Sequence, residues 1–390
     1  MSASPLSGVR VADFSWIIAG PTATRHLALM GAEVIKVGSA RRPDPSTRGS
    51  AFQVYNQSKR YAAMNLSQQR GKELALDLVG LCDVVVENYA AGVFERLGLG
   101  YDTLSQVKPD VIMVASSGTG HSGPDRDYVA YGSLLQHYTG WNSISGYPEQ
   151  EPIKGGLWAD PWVGMELAMI TLAALNHRAE TGDGQYVDFS MAEALSASLP
   201  EALLEYQMTG DEPQPIGNRD RLAVPHGVYK CMGEDRWIAI EVYHEGDWKA
   251  LCSAIGRPDL LADSDLSTPD GRRSRERELD AAISEWTAQL DEWDAFERLQ
   301  QSGVPCGPSL DMGRLHSERH LNAGGYLTPV EYPDGSERVL PTLPWRFDGQ
   351  PTREVRPAPT LGQDSDYVYR ELLGLSGDEI AALTESQVIY

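Results

Sequence analysis

Apolar and polar positions in the first half of the chain switch repeatedly between two periods. Residues 9–14 alternate as a strand does, with Arg10 and Asp13 set among Val9, Val11, Ala12 and Phe14. Gly20 and Pro21 then open a pattern that predicts a helix to about Met30. Residues 33–37 read as a second strand, 69–81 as a helix, 83–87 as a short buried strand and 110–115 as another. A long helix is predicted over 164–178, a strand over 186–190 and one continuous helix over 191–208. Strands alternating with helices at this pitch predict an α/β fold, with a parallel, doubly wound sheet.

The pattern changes after that. Residues 209–218 are rich in Pro, Gly and charge and read as a linker. A strand at 237–242 is followed by helical patterns at 247–255, 274–290 and 291–302, which read as a smaller α+β domain. Residues 351–359 are Pro-rich and read as extended, and 364–373 and 377–383 as helical. The expected division is 1–210 for a first part of a large domain, 211–325 for the small domain, and 326–390 for a segment returning to the large one. The chain has 390 residues, which at about 150 per domain suggests two or three domains.

Hydrophobic residues make up 42% of the chain, enough for a sizeable core, so disorder is excluded. Lys and Arg number 33 against 55 Asp and Glu, for a formal charge of −22. That balance argues against nucleic acid or an anionic membrane as partner. It leaves room for an anionic ligand met by a local cluster of arginines. The most apolar window, residues 163–175, contains Glu166 and is too short to span a bilayer. The four cysteines, at 82, 231, 252 and 306, lack the spacing of a zinc site or a disulfide framework, so no metal is expected. These features read as a soluble cytoplasmic protein.

No phosphate loop, dinucleotide fingerprint, nucleophile elbow or zinc-protease motif is present. Residues 116–124 (SSGTGHSGP) form a Gly/Ser loop after a strand, a place that suits a ligand as well as it suits a plain connection. Asp160, followed by Pro161, has two readings. It is a helix N-cap, or it is a carboxylate kept ionised by a helix dipole and able to act as a nucleophile. Arg96, and Arg41 with Arg42, are either solvated surface charges or phosphate contacts.

Taken in order, residues 6–13, 19–21, 31–36, 85–89, 96–101, 118–124, 181–188, 303–308, 371–375 and 379–383 resemble the class III CoA-transferase family, the group of formyl-CoA transferase, carnitine CoA-transferase and α-methylacyl-CoA racemase. The resemblance implies a Rossmann-like, doubly wound large domain plus a smaller α+β domain, in a homodimer of interlocked rings, with a heteromer left open. It implies acyl-CoA and a small carboxylic acid as substrates, with CoA passing through an aspartyl mixed anhydride and an aspartyl-CoA thioester at Asp160. CoA would be held by Ile18, Ala19, Met64 to Ser67, Asn88, Tyr89, Ala90, Arg96, Val129, Tyr131 and Gly132. Where the family commonly has a Glu after the second strand this chain has Gly38 and Ser39, so Arg41 or Arg42 is expected at the CoA phosphates. Ile18 stands where formyl-CoA transferases carry a Gln, and their glycine-rich lid is not visible around residues 226–233. Both departures argue against oxalate as acceptor, and Trp141, Trp158 and Trp162 suggest a larger, partly apolar acyl group. Two alternatives remain. One is a racemase-type isomerase, whose His would fall at Tyr131, with His121 and His137 as off-motif candidates. The other is a non-catalytic CoA-binding subunit.

Overall fold

The computed structural model describes residues 4–148, 150–152, 156, 158–349 and 355–390. Six strands form one parallel sheet: β1 (Arg10–Asp13), β2 (Glu33–Gly38), β3 (Arg60–Ala63), β4 (Val84–Glu87), β5 (Ile112–Ser117) and β6 (Gln185–Ser190). Their spatial order is β3-β2-β1-β4-β5-β6. The order reverses between β1 and β4, which pair directly, so the crevice outside their carboxyl ends is the topological switch point where open α/β sheets bind ligands.

The strand sequences show why both faces are covered. Val11, Val34, Val84, Val86, Ile112 and Val114 point into one apolar cluster, while Ala12, Ile35, Val37, Val85, Met113 and Ala115 point into the other. Strands buried on both faces must be apolar at every position, which is how a parallel sheet between two helix layers reads. Residues 1–210 contribute the helices α1 (Ala19–Leu29), α2 (Ala51–Tyr55), α3 (Gln69–Val79), α4 (Val93–Arg96), α5 (Tyr101–Val107), α6 (Gly132–Tyr138), α7 (Ala159–Thr181), α8 (Met191–Ala197) and α9 (Pro200–Thr209).

Two compact units emerge. Met1–Trp141, Lys154–Gly210 and Arg319–Tyr390 form the first, and Asn142–Ile153 with Asp211–Glu318 the second. The second unit carries an antiparallel sheet of β7 (His226–Lys230), β8 (Trp237–Glu241) and β9 (Cys306–Pro308), with β8 central. Helices Glu245–Ala254, Glu276–Thr287 and Glu292–Gln301 pack on it around Ile238, Ile240, Trp248, Leu251 and Leu299. In the first unit, β10 (Leu327–Glu331) and β11 (Glu337–Pro341) form a hairpin. Its later residues also reach the sheet edge: Asn65 N–H donates to Val388 C=O at 2.8 Å, and Met64 bridges to Ile389.

The structure departs from the periodicity reading at definite places. Residues 191–208 form two helices because Pro200 cannot continue the first and is instead favoured in the first turn of the next. α7 starts at Ala159 rather than residue 164, since Pro161 is tolerated in a first turn. β3 and the β10–β11 hairpin had no clear alternation to announce them. Of the expected extended stretch at 351–359, residues 351–354 lie outside the described residues.

α1 and α7 approach so closely that residue 164 must lack a side chain. A Cβ on Gly164 would lie 2.4 Å from Thr22 Cβ and 2.6 Å from Ala19 C=O. Gly164→Val is expected to lower stability by about 1–3 kcal/mol through overpacking, measured as a lower midpoint in urea. An unchanged midpoint would count against the close contact.

Candidate active site

Asp160 sits in the first turn of α7 and is 8% exposed. It is not the N-cap, which is Trp158, so the capping reading is corrected. Its carboxylate accepts a hydrogen bond from the Gly132 backbone N–H at the start of α6. The fit is tight: a Cβ on Gly132 would lie 2.1 Å from Asp160 Oδ1. The expectation that the helix dipole keeps this group readily ionised is also corrected. Burial raises the Asp160 carboxyl above the ordinary Asp range, and the Gly132 N–H only partly opposes it. The Asp160 charge is felt by Tyr55 on α2, whose phenol is raised mainly by burial and further by this carboxylate, with Arg25 acting against both.

A second set of residues surrounds a cavity of about 260 Å³ at the switch point. Seven of the expected CoA contacts line it: Arg41, Arg42, Met64, Asn65, Leu66, Ser67 and Tyr89. They are joined by Trp16, Lys36, Asp44 and Tyr61, which sequence reasoning missed. The available signal was a lysine in the middle of an otherwise apolar strand. Arg42 lies over the Trp16 ring at 4.8 Å, and Trp16 meets Tyr89 edge-on at 5.5 Å. Arg41 donates to Gln387 Oε1 at 2.8 Å. Ser67 N–H and Oγ both turn back to Asn65 Oδ1, at 3.2 and 2.6 Å.

The other expected contacts fall elsewhere. Ile18 and Ala19 are buried at the start of α1, and the Ile18 carbonyl accepts from Thr22 N–H at 2.8 Å. Asn88 is spent on Trp16: its amide accepts from Trp16 N–H at 2.8 Å and donates to Trp16 C=O at 2.9 Å. Ala90 is exposed, and Arg96 is an exposed residue ending α4, one place before the cavity-lining Leu97. Val129 and Tyr131 are exposed just ahead of Gly132, at 73% and 56%. The two sets are connected through the protein itself. Trp16 walls the cavity, Ala19 follows it into α1, and Ala19 abuts Gly164, one helical turn beyond Asp160.

The three tryptophans do not act together. Trp141 and Trp158 stack edge-to-face at 4.8 Å, and Trp141 Nε1 donates to Leu195 C=O, so both serve packing. Only Trp162 is exposed. Among the described residues, no group of His, Cys, Asp and Glu is arranged to hold a metal ion, and no helix is long and apolar enough to cross a membrane.

The Gly/Ser loop is held by its histidine. His121 Nδ1 lies 3.1 Å from Asp188 Oδ1 on β6, and Nε2 lies 3.4 Å from Glu87 Oε1 at the end of β4. Glu87 Oε2 in turn accepts Tyr89 N–H at 2.8 Å. His137 is exposed at the last turn of α6.

The strand order, the switch-point cavity and a buried carboxylate at a helix start define an α/β protein with a ligand crevice at its switch point. A solved CaiB/BaiF family protein from Brucella suis superposes with a TM-score of 0.86 at 27% identity, covering 95% of this chain and all of that one. The profile of CoA-transferase family III matches residues 6–365. Formyl-CoA:oxalate CoA-transferase of Streptomyces coelicolor is 30% identical with both chains covered in full. Succinyl-CoA–D-citramalate CoA-transferase of Chloroflexus aurantiacus is 30% identical over 99% of this chain and 98% of its own. The chain belongs to CoA-transferase family III, and it is a CoA-transferase.

The His121 contacts carry a pH prediction. Burial lowers its imidazole, but Glu87 and then Asp188 outweigh this and raise it above the usual value. Glu95 also bears on the cluster, and burial raises Glu87 itself. A raised folded-state value means the bonus from protonated His121 is complete below about pH 6.5 and lost as pH rises through the higher folded value. His121→Gln is therefore expected to lower the melting temperature most on the acid side of neutral, with the gap to wild type closing at alkaline pH. A gap that widens with pH would contradict the assignment.

Proposed function

We propose that this CoA-transferase moves CoA from an acyl-CoA donor to a small carboxylic acid through covalent intermediates on Asp160. The observation that carries the reading is the buried Asp160 carboxylate held by the Gly132 N–H in a chain of this family. A carboxylate is a weak nucleophile, but a desolvated and more basic one attacks an activated thioester more readily. Asp160 adds to the donor carbonyl and the C–S bond breaks, giving an acyl-aspartyl anhydride and CoA thiolate. The thiolate attacks the aspartyl carbonyl, the donor acid leaves, and an aspartyl-CoA thioester remains. The acceptor carboxylate attacks that thioester and frees the thiolate, which then takes the acceptor acyl group and restores Asp160. One thioester replaces another, so no nucleotide hydrolysis is required. In this reading the Gly132 N–H beside the carboxylate would stabilise the oxyanion that develops at the aspartyl carbonyl.

CoA is assigned to the switch-point cavity, with Arg41 and Arg42 supplying positive charge and Tyr89 and Trp16 flat surface, while Lys36 is buried and paired with Asp44. The relatives named above act on formyl-CoA with oxalate and on succinyl-CoA with citramalate, which favours a small acid here. The apolar Ile18 at the start of α1 favours an acceptor less polar than oxalate. The interlocked homodimer is proposed on the resemblance. Racemase-type chemistry is disfavoured, because both ring nitrogens of His121 are taken by carboxylates.

Incubation with formyl-CoA, acetyl-CoA or succinyl-CoA and then hydroxylamine or borohydride should modify Asp160, detected by mass spectrometry. Asp160→Asn should reduce transfer to background without lowering the melting temperature at neutral pH, since it removes a buried charge while keeping an acceptor for the Gly132 N–H. Full transfer by that variant would overturn the mechanism. Because only ionised Asp160 attacks and its carboxyl is raised, the acid limb of kcat/KM should lie above the ordinary Asp value of about 3.9. A limb at or below that value would place the catalytic ionisation on another group.

A further inference from the structure

Where the chain leaves β1 for α1, Phe14 N–H still pairs with Val86 C=O of β4 and Ile18 C=O already accepts from Thr22 N–H of α1, so the polar groups of residues 15–17 between them need partners from outside ladder and helix. Buried side chains from other elements meet these groups instead. Ser15 N–H donates to Asp13 Oδ1 at 3.0 Å, and Ser15 C=O accepts from Lys36 Nζ at 2.6 Å. Asn88 takes both backbone groups of Trp16. Ile17 N–H donates to the Asp44 carboxylate at 3.2 Å. Ile17 holds φ at +67°, a conformation a β-branched residue keeps only when its surroundings impose it.

The imposing groups are two buried ion pairs. Lys36 and Asp44 lie 3.4 Å apart, and Lys59 and Asp13 2.9 Å apart. All four residues are 5% exposed or less. Asp44 is further fixed by Ser46 N–H at 2.9 Å, and Asp13 by Thr24 Oγ1 at 2.7 Å. Burying four charges is a poor route to stability, because well-packed apolar residues of similar volume do as well or better. What these charges secure is the placement of Trp16, whose indole walls the cavity beneath Arg42.

We infer that Asp44 and Lys36 are positioning residues for the nucleotide half of CoA, holding the strained turn at Ile17 so that Trp16 and Arg42 face the ligand. The inference rests on the reading of the cavity as the CoA site. It predicts an effect on affinity that is separate from the chemistry at Asp160.

The test is calorimetric titration of CoA and of adenosine 3′,5′-bisphosphate into wild type and Asp44→Asn, followed by steady-state kinetics with the donor found by the screen above. Both dissociation constants and KM should rise at least about ten-fold, the size expected when a hydrogen bond to a charged acceptor is lost, while kcat stays within about three-fold. Unchanged dissociation constants, or a kcat that falls in step with them, would overturn the inference. If Asp44→Asn fails to fold, the double variant Asp44→Asn/Lys36→Met leaves no unpaired buried charge and must show the same split. A wild type that binds CoA but not the bisphosphate would overturn the placement of the nucleotide, and the inference with it. A wild type that binds neither would overturn the CoA reading of the cavity itself.

Discussion

Everything the site does depends on one contact between two helices. α1 begins at the switch point of the sheet, and α7 carries Asp160. They meet where Gly164 lies against Ala19 and Thr22 with no room for a side chain. This backbone-level contact sets the distance between the cavity, which begins at the residues just before α1, and the carboxylate one turn before Gly164. Under the function proposed above, a thioester ligand would span that distance, and its reach from nucleotide end to reacting carbon would be set by helix packing in the core. Such packing is stiff, because protein interiors resist changes of even one methylene.

Electrostatics divides between the global and the local. The chain carries a formal charge of −22, yet the cavity collects Lys36, Arg41 and Arg42 against the single carboxylate of Asp44. A polyanionic ligand therefore meets an unfavourable field at long range and a favourable one on arrival. Screening at physiological salt confines the former to about 8 Å, while pairs inside the fold are shielded much less. Burial raises the Asp160 carboxyl, and the neutral Gly132 N–H opposes it only in part.

The layout of the sheet was legible because β2, β4 and β5, buried on both faces, leave apolar runs, while alternation gave β1 and a strand pattern after α7 gave β6. β3 left no such signal, since Arg60 and Tyr61 open it and its apolar part is only Ala62 and Ala63. The break at Pro200 was written in the sequence, but the apolar pattern runs through it on both sides. Asp160 was legible as a residue but not as an environment. Its sequence neighbours suggest a cap and a dipole, whereas burial and Gly132, from another helix, decide its protonation. Asn88 was legible from its motif as a residue, but the pairing of its amide with both backbone groups of Trp16 was not, because Trp16 lies 72 residues away. The charged turn at 13–18 was invisible for a simple reason: Asp13, Lys36, Asp44 and Lys59 come from four separate stretches, and only folding makes them one group.

The strand ends that frame the cavity are finished by residues from far along the chain. Asn65 pairs with Val388, the Asn65 amide reaches the Gln387 carbonyl across a separation of 322 residues, and Arg41 is anchored on the Gln387 side chain. Synthesis proceeds from the N-terminus, so the sheet, α1 and Asp160 can all take shape while this rim is still missing. The rim closes only after the second unit has been made and the chain has come back. A nascent or truncated chain therefore lacks the contacts by which residues 387 and 388 finish the strand ends at Asn65 and hold Arg41.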